Sequence, residues 1–352
     1  MDRTARDFLK KLVESPSPSG FEQPGQKLVR ARLKKYVDEI RTDVHGNVIG
    51  VKNPGAPLRV MLAGHCDEIG LMVTHVDEHG YVYFAAIGGV DAGILPGQRV
   101  DIHNERRAVS GVIGKKAIHL MEQSERGKPM KIKDCWIDIG ASDRKDALKA
   151  VAIGDPITIT RQFTPLRNDL AAARAFDDRV GAWAVVETMR KLSRAKVRCS
   201  VYAVSTVQEE LGLRGARTAA YGIDPHVGIA IDVGFASDWP GAEKKVIGEV
   251  ALGKGPILHR GGNINPVLGR LMEKVARKKR IPFQMQAEPR ATGTDANVIQ
   301  INRAGAAASL VSVPNRYMHT PVEVVSLKDL DHVVALLAGT ILELKPNMDF
   351  TP

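Results

Sequence analysis

Seven side chains of the kinds that bind divalent cations or move protons stand at the ends of short apolar runs or in glycine-flanked loops. They are His65 and Asp67 in LRVMLAGHCDEIG, Asp177 in ARAFDDRVG, Glu209 and Glu210 in YAVSTVQEELG, Asp232 in VGIAIDVG, and His319 in RYMHTP. Residues i and i+2 of a strand share a face, so His65 and Asp67 point together while Cys66 points away. A carboxylate placed like Asp67 holds the second nitrogen of a ligand imidazole and fixes its tautomer. Glu209 and Glu210 repel each other, and a nearby cation would offset that repulsion. One of the pair can then ligate a metal while the other takes a proton from metal-bound water. Asp232 ends the apolar run VGIAI, where burial of its charge demands a partner. Asp177 and Asp178 directly precede an amphipathic helix, and one of them suits its N-cap. Cys66 reads as a small buried residue. The remaining histidines lack such a context and read as structural.

The elements that position these residues follow from periodicity. Three of the apolar runs are β-branched and alanine-rich, which marks buried strands. In open α/β sheets, ligands bind beyond the carboxyl ends of the strands. Helices are expected over 2–14 and 22–38, and strands over 47–53 and 57–64. From about 70 to 165 the runs become short and alternating (LMVTHV, YVYFAAI, RVDIH, VSGVIG, CWIDIG, PITIT), broken by HG, GG, PG and NE turns. That pattern predicts a small antiparallel barrel or sandwich. Beyond it, strands such as VRCSVYAVSTV, HVGIAIDVG, IPFQMQ and GAAASLVSV alternate with helices such as RVGAWAVVETMRKLSR, LRGARTAAYG and PVLGRLMEKVARKKR. RATGTDANV opens a further helix and can line a pocket. The expected architecture is α/β: a three-layer α/β/α domain with a mixed sheet, made of residues 1–69 and 166–352 and interrupted by a β-barrel domain of residues 70–165.

Bulk composition narrows the function classes. The chain has 352 residues and a formal net charge of +10, from 50 Lys and Arg against 40 Asp and Glu. Its short basic runs lack aromatic interleaving, so they read as solvated surface and no nucleic acid is expected. No apolar stretch is long enough for a bilayer span, and no membrane association is expected. The N-terminal MDRTARDFLKKLVES reads as an amphipathic helix, not a secretion signal. Three widely spaced cysteines form no disulfide framework and fit a reducing cytoplasm.

The conjunction of motifs, in order, resembles the tetrahedral aminopeptidase family, which includes glutamyl and deblocking aminopeptidases and some members labelled endoglucanases. The matching stretches are PSPSGFE, GHCDEIG, GQRV, IGDPITI, AFDDRVG, STVQEELGLRGA, IDVGFASDWPG, LGKGP, TGTDA and RYMHTPVE. The resemblance implies two divalent metal ions per subunit, zinc or cobalt. It implies one ion on His65, Asp177 and Asp232 and the other on Asp177, Glu210 and His319, with Asp177 bridging. It also implies Glu209 as general base, Asp67 as the residue orienting His65, and a cis peptide between Asp177 and Asp178. The implied substrates are short peptides with a free N-terminus, and the implied assembly is a dimer-based dodecamer contacting through the inserted barrel. Family members usually carry Met where Cys66 stands and more glycine where ATGTDA stands; neither departure removes a ligand.

Three other readings compete. Clan relatives are dipeptidases or deacylases, but their extra domain falls after the Glu–Glu pair, whereas here it falls between His65 and Asp177. An endoglucanase needs two carboxylates but has no use for His65 and His319. An inactive assembly protein would not need every ligand position filled by a suitable residue.

Overall fold

The computed structural model describes residues 1–124, 126–160 and 162–352. Among them, eleven strands form one mixed sheet and six close into a barrel. The centre of the large sheet is parallel, in the order Ser200–Thr206, Arg59–His65, Val227–Phe235, Ala307–Arg316. These strands are nearly continuous apolar runs, buried on both faces, as helix-covered parallel strands require. Helix Phe176–Leu192 packs against Arg59–His65 and Val227–Phe235 and is buried over most of its length. Gly64 permits this contact. A Cβ there would stand 2.3 Å from the carbonyl carbon of Gly181, so the strand carrying His65 lies directly on the helix carrying Asp177.

The barrel runs Gly70–Val76, Val82–Ile87, Cys135–Asp138, Ala108–Lys115, Arg99–His103, Pro156–Ile159, and closes back on the first strand with every pair antiparallel. It encloses its own core of Leu71, Val73, Val76, Val82, Phe84, Leu95, Val100, Ile102, Ile113 and Ile137. Closure removes the unpaired edges that short strands would otherwise expose.

Local details depart from the periodicity. The helix expected over 22–38 stops at Leu33, and Glu39–Thr42 forms an edge strand paired antiparallel with Val48–Lys52. Asp43 drives that hairpin by accepting from the backbone of Gly46 and Asn47. Two strands with weak sequence signals, Leu170–Ala173 and Glu323–Ser326, pair with each other and flank the site. Cys66, Cys135 and Cys199 are buried free thiols. No described helix is long and apolar enough to cross a membrane.

Candidate active site

Sheet register brings the predicted residues to one level. Ala230 pairs with Ala63, so Asp232, two residues on, stands level with His65; Thr206 pairs with His65 directly. Strand Val227–Phe235 outruns its neighbour, so Asp232 lies within a strand and not at its end. Glu209 and Glu210 follow Ser200–Thr206 in a turn in which Gly212 and Leu213 donate to the Glu209 carbonyl. His319 arrives from the loop after Ala307–Arg316, with a positive φ of 60°.

Asp177 is the centre of the cluster. Its Oδ1 lies 3.2 Å from His65 Nε2 and its Oδ2 lies 3.3 Å from His319 Nε2. Glu210 Oε1 is 3.6 Å from His319 Nε2, and Glu209 Oε2 is 3.7 Å from His65 Nε2. One carboxylate thus faces two imidazoles with separate oxygens. Both imidazoles are fixed through Nδ1, which lies 3.1 Å from the Asp67 carbonyl in His65 and 3.0 Å from the Gly89 carbonyl in His319. Backbone acceptors at Nδ1 leave both Nε2 atoms to the site interior.

The Asp67 carboxylate faces the His65 imidazole and holds other groups besides. Its Oδ1 is 3.5 Å from His65 Nδ1, longer than the contact made by the Asp67 carbonyl. It also accepts from the backbone N–H of Glu209 at 3.0 Å and of Glu210 at 3.1 Å, and from the Ser19 hydroxyl at 2.7 Å. It therefore holds the glutamate pair as much as the imidazole. Asp178, joined to Asp177 by a cis peptide, accepts from the backbone of Gly181 at 2.9 Å and of His65 at 3.1 Å. It caps its helix and ties that helix to the strand.

Two positioning groups escaped the sequence reading. Glu323, buried at 2% exposure, accepts from the Asp177 N–H at 2.8 Å and from the His319 N–H at 3.0 Å. A single carboxylate thereby sets two functional residues 142 positions apart in sequence. Gly89, on the barrel's loop, has no room for a Cβ, which would stand 2.9 Å from His319 Nδ1. The signals were present, as an acid four residues past His319 and a Gly–Gly turn, but nothing local connects them to Asp177.

The electrostatics show acids in excess. Burial pushes Glu209 up to about 10, and Asp232 and Asp295 add to the rise. Burial, helped by Asp177, pushes Glu210 up to about 7. Burial also raises Asp232 and Asp178 well above the carboxylate range. Asp177 is depressed despite its burial, because the His319 and His65 imidazoles face its two oxygens. His319 rises to about 9, chiefly through Asp177. Burial opposes the His65 imidazolium, yet Glu209, Asp177 and Asp67 hold its pKa high.

The donor set fits divalent cations. Ligand atoms of His65, Asp177 and Glu210 lie within 4.8 Å of one another, as do those of His65, Asp178 and Asp232. His65 Nε2 and Glu210 Oε1 are buried without a hydrogen-bond partner. Orphaned nitrogen and oxygen atoms amid unbalanced acids are what a metal centre supplies with a partner. The residues open into a cleft of about 350 Å³ that extends past Phe235 and Ser312 to His259 and Glu288.

Fold and site together define an α/β protein with a candidate metal-binding donor set at a parallel-sheet edge. Residues 46–336 match the M42 glutamyl aminopeptidase family, and the chain belongs to that family. It is similar to a lysyl aminopeptidase of Pyrococcus furiosus, 42% identical over 98% of this chain and 99% of that protein. Among solved structures it resembles the TET aminopeptidase of Thaumarchaeota archaeon SCGC AB-539-E09, with a TM-score of 0.93, 34% identity and 98% coverage of both chains. It also resembles the Pyrococcus horikoshii TET1 peptidase, described as assembling into a tetrahedron or a large octahedral shell, with a TM-score of 0.87, 29% identity and coverage of 97% of this chain and all of that one. The chain is therefore a peptide-bond hydrolase of an aminopeptidase family.

Proposed function

We propose that the protein is a dinuclear-metal aminopeptidase that removes single residues from short peptides with a free α-amine. The carrying observation is Asp177, whose two carboxylate oxygens face His65 and His319 separately. In this reading His65, Asp177 and Asp232 hold one ion, and Asp177, Glu210 and His319 hold the other. Asp178 is left out because both of its oxygens already accept backbone N–H groups. Nitrogen and oxygen donors suit zinc or cobalt.

Bound there, two divalent cations would supply an activated water and polarise the scissile carbonyl. Glu209 is free of backbone duty at its carboxylate and faces the cleft, so it takes the proton of the attacking water. It then returns that proton to the leaving amine. Asp67 keeps Glu209 in place through its backbone N–H. The acid excess around the cluster pairs with the substrate's α-ammonium, which sets the cut one residue in.

Residues 70–165 form the inserted domain of this reading, and residues 1–69 and 166–352 the catalytic one. The barrel lends the site a backbone carbonyl at Gly89. Its main task is proposed to be contact between subunits in a dimer-based dodecamer, working in a reducing cytoplasm.

The test compares one peptide with a free and with an acetylated N-terminus, read by mass spectrometry on zinc- and cobalt-loaded protein. Stepwise loss of residues from the free peptide alone is expected. Equal cleavage of both forms, or internal cuts, would replace this reading with a deacylase or an endopeptidase. Metal analysis should give two equivalents per chain and one fewer in His319→Ala, and light scattering should give a particle near twelve subunits.

A further inference from the structure

The cleft continues beyond the cluster along the sheet, and its far wall carries an acid that the chemistry above does not use. Asp232 pairs with Ser312 on the next strand, and Ser312 pairs in turn with Ile257 on strand Ile257–Gly261. That strand pairs with Gln284–Glu288, placing Gly261 opposite Glu288. Glu288 is therefore three strands across from Asp232 and four residues further along, so its backbone lies about 19 Å away at ordinary strand spacing and rise.

A buried relay orients Glu288. Its Oε1 lies 3.2 Å from His259 Nδ1, and His259 Nε2 lies 2.9 Å from the Ser312 hydroxyl. An ionised carboxylate only accepts, so Nδ1 carries the proton. In a neutral ring, Nε2 then accepts from Ser312. His259 and Ser312 are buried, while the Glu288 side chain is a quarter exposed. Among the described residues, no lysine or arginine lies within ion-pair distance of Glu288. One oxygen is thus anchored and the other is left to the cleft. Phe235, 56% exposed, lines the same cleft as Asp232 and Glu288 and offers it an apolar surface.

We infer that Glu288, held by His259 and Ser312, reads a positively charged side chain on the residue being removed, so that the enzyme prefers N-terminal lysine and arginine. The inference rests on the aminopeptidase reading. The relay brings the Glu288 carboxylate back to within about 8 Å of the Ser312 hydroxyl beside Asp232, and with the scissile carbonyl at Asp177 and Asp232 an extended lysine carries its ammonium about 6 Å past its Cα toward it. The four-carbon stem covers Phe235 while the ammonium meets Glu288. The same carboxylate repels N-terminal aspartate and glutamate. Charge recognition in a partly desolvated cleft is strong enough to dominate selectivity.

The test measures kcat/KM of the metal-loaded, full-length protein on lysyl-, arginyl-, leucyl- and glutamyl-coumarins, for wild type, Glu288→Gln and Glu288→Asp. Wild type should favour lysine and arginine over leucine by about tenfold or more. Glu288→Gln should erase that preference, with leucine unchanged within about twofold, and Glu288→Asp should keep part of it. Three results overturn the inference: no lysine preference in wild type, an unchanged lysine-to-leucine ratio in Glu288→Gln, or lysine and leucine falling together. The last result would make Glu288 a structural residue or a reader of the α-amine. If wild type cleaves no aminoacyl-coumarin, the aminopeptidase reading fails separately. Calorimetry with free L-lysine and L-leucine then decides: lysine-selective binding abolished by Glu288→Gln upholds the charged-pocket inference, and equal binding refutes it.

Discussion

Glu68 and Asp67 are neighbours in sequence, yet they belong to two buried charge clusters of opposite character. Glu68 is matched within the protein. Arg174 and Arg179 both reach its carboxylate, Ser17 donates to it, and Arg179 is fully buried. Burial opposes the Glu68 charge, but the two arginines hold its pKa below the usual range. Asp67 belongs to a cluster with Asp177, Asp178, Glu209, Glu210 and Asp232, six acids that, among the described residues, have His65 and His319 against them. There Glu209, Glu210, Asp232 and Asp178 are pushed upward by burial, and orphaned donor atoms remain. A balanced cluster stabilises a fold, whereas an unbalanced one marks charge that a ligand must bring.

The largest expected effect breaks the unbalanced cluster without changing its shape. Glu209→Gln should lower turnover by about 10³-fold. Metal content should stay at wild-type level, as checked by elemental analysis beside kinetics. Near-normal turnover would remove Glu209 from its assigned role.

The balanced cluster should respond in stability. Arg179→Leu leaves Glu68 short of a cation and strips hydrogen bonds from the carbonyls of Cys66 and Ser15. A loss of about 3–5 kcal/mol is expected from denaturant unfolding. Asp232→Asn should do the reverse in metal-free protein, holding or raising stability by about 1 kcal/mol, because it deletes an unmatched buried acid. The same variant should lose the gain that metal brings to the wild type. Destabilisation of both metal-free variants would erase the distinction between the clusters.

A smaller effect concerns Glu323, which holds Asp177 and His319 through their backbones. Glu323→Gln should weaken metal binding by about 10–100-fold, measured by chelator competition. Unchanged affinity would show that the two backbones are set without it.

The smallest effect is a pH slope. In metal-free protein Asp295 titrates near 6 and Glu210 near 7, both raised chiefly by burial. Folded protein then binds more protons than unfolded protein between about pH 4 and those values. Their stabilising contribution is full below about pH 4 and is lost as pH rises through about 6 to 7. His319, raised to about 9 through Asp177, acts in the same direction: its contribution is full below about pH 6.5 and is lost as pH rises through 9. The melting temperature of metal-free protein should therefore fall between about pH 5 and 9, and saturating zinc should flatten that slope. A melting temperature that rises over this interval would contradict the direction.

The sequence alone determined the α/β class with its antiparallel barrel, and it nominated seven side chains that the fold brings together. Each of those is a local matter: alternation in RVDIH and CWIDIG, buried runs in VGIAIDVG, ligand-type residues at the ends of such runs. Tertiary structure decided who holds whom. That Asp67 holds the Glu209–Glu210 backbone, that Glu323 couples Asp177 to His319, and that a barrel glycine fixes an imidazole depend on strands far apart in the chain meeting in register. Periodicity also misplaced the end of the 22–38 helix and passed over Glu39–Thr42 and Glu323–Ser326, because four-residue strands owe their form to a partner. Hydrogen bonds over such separations leave no periodic trace in a single chain, so the residues could be chosen from sequence but their division of labour could not.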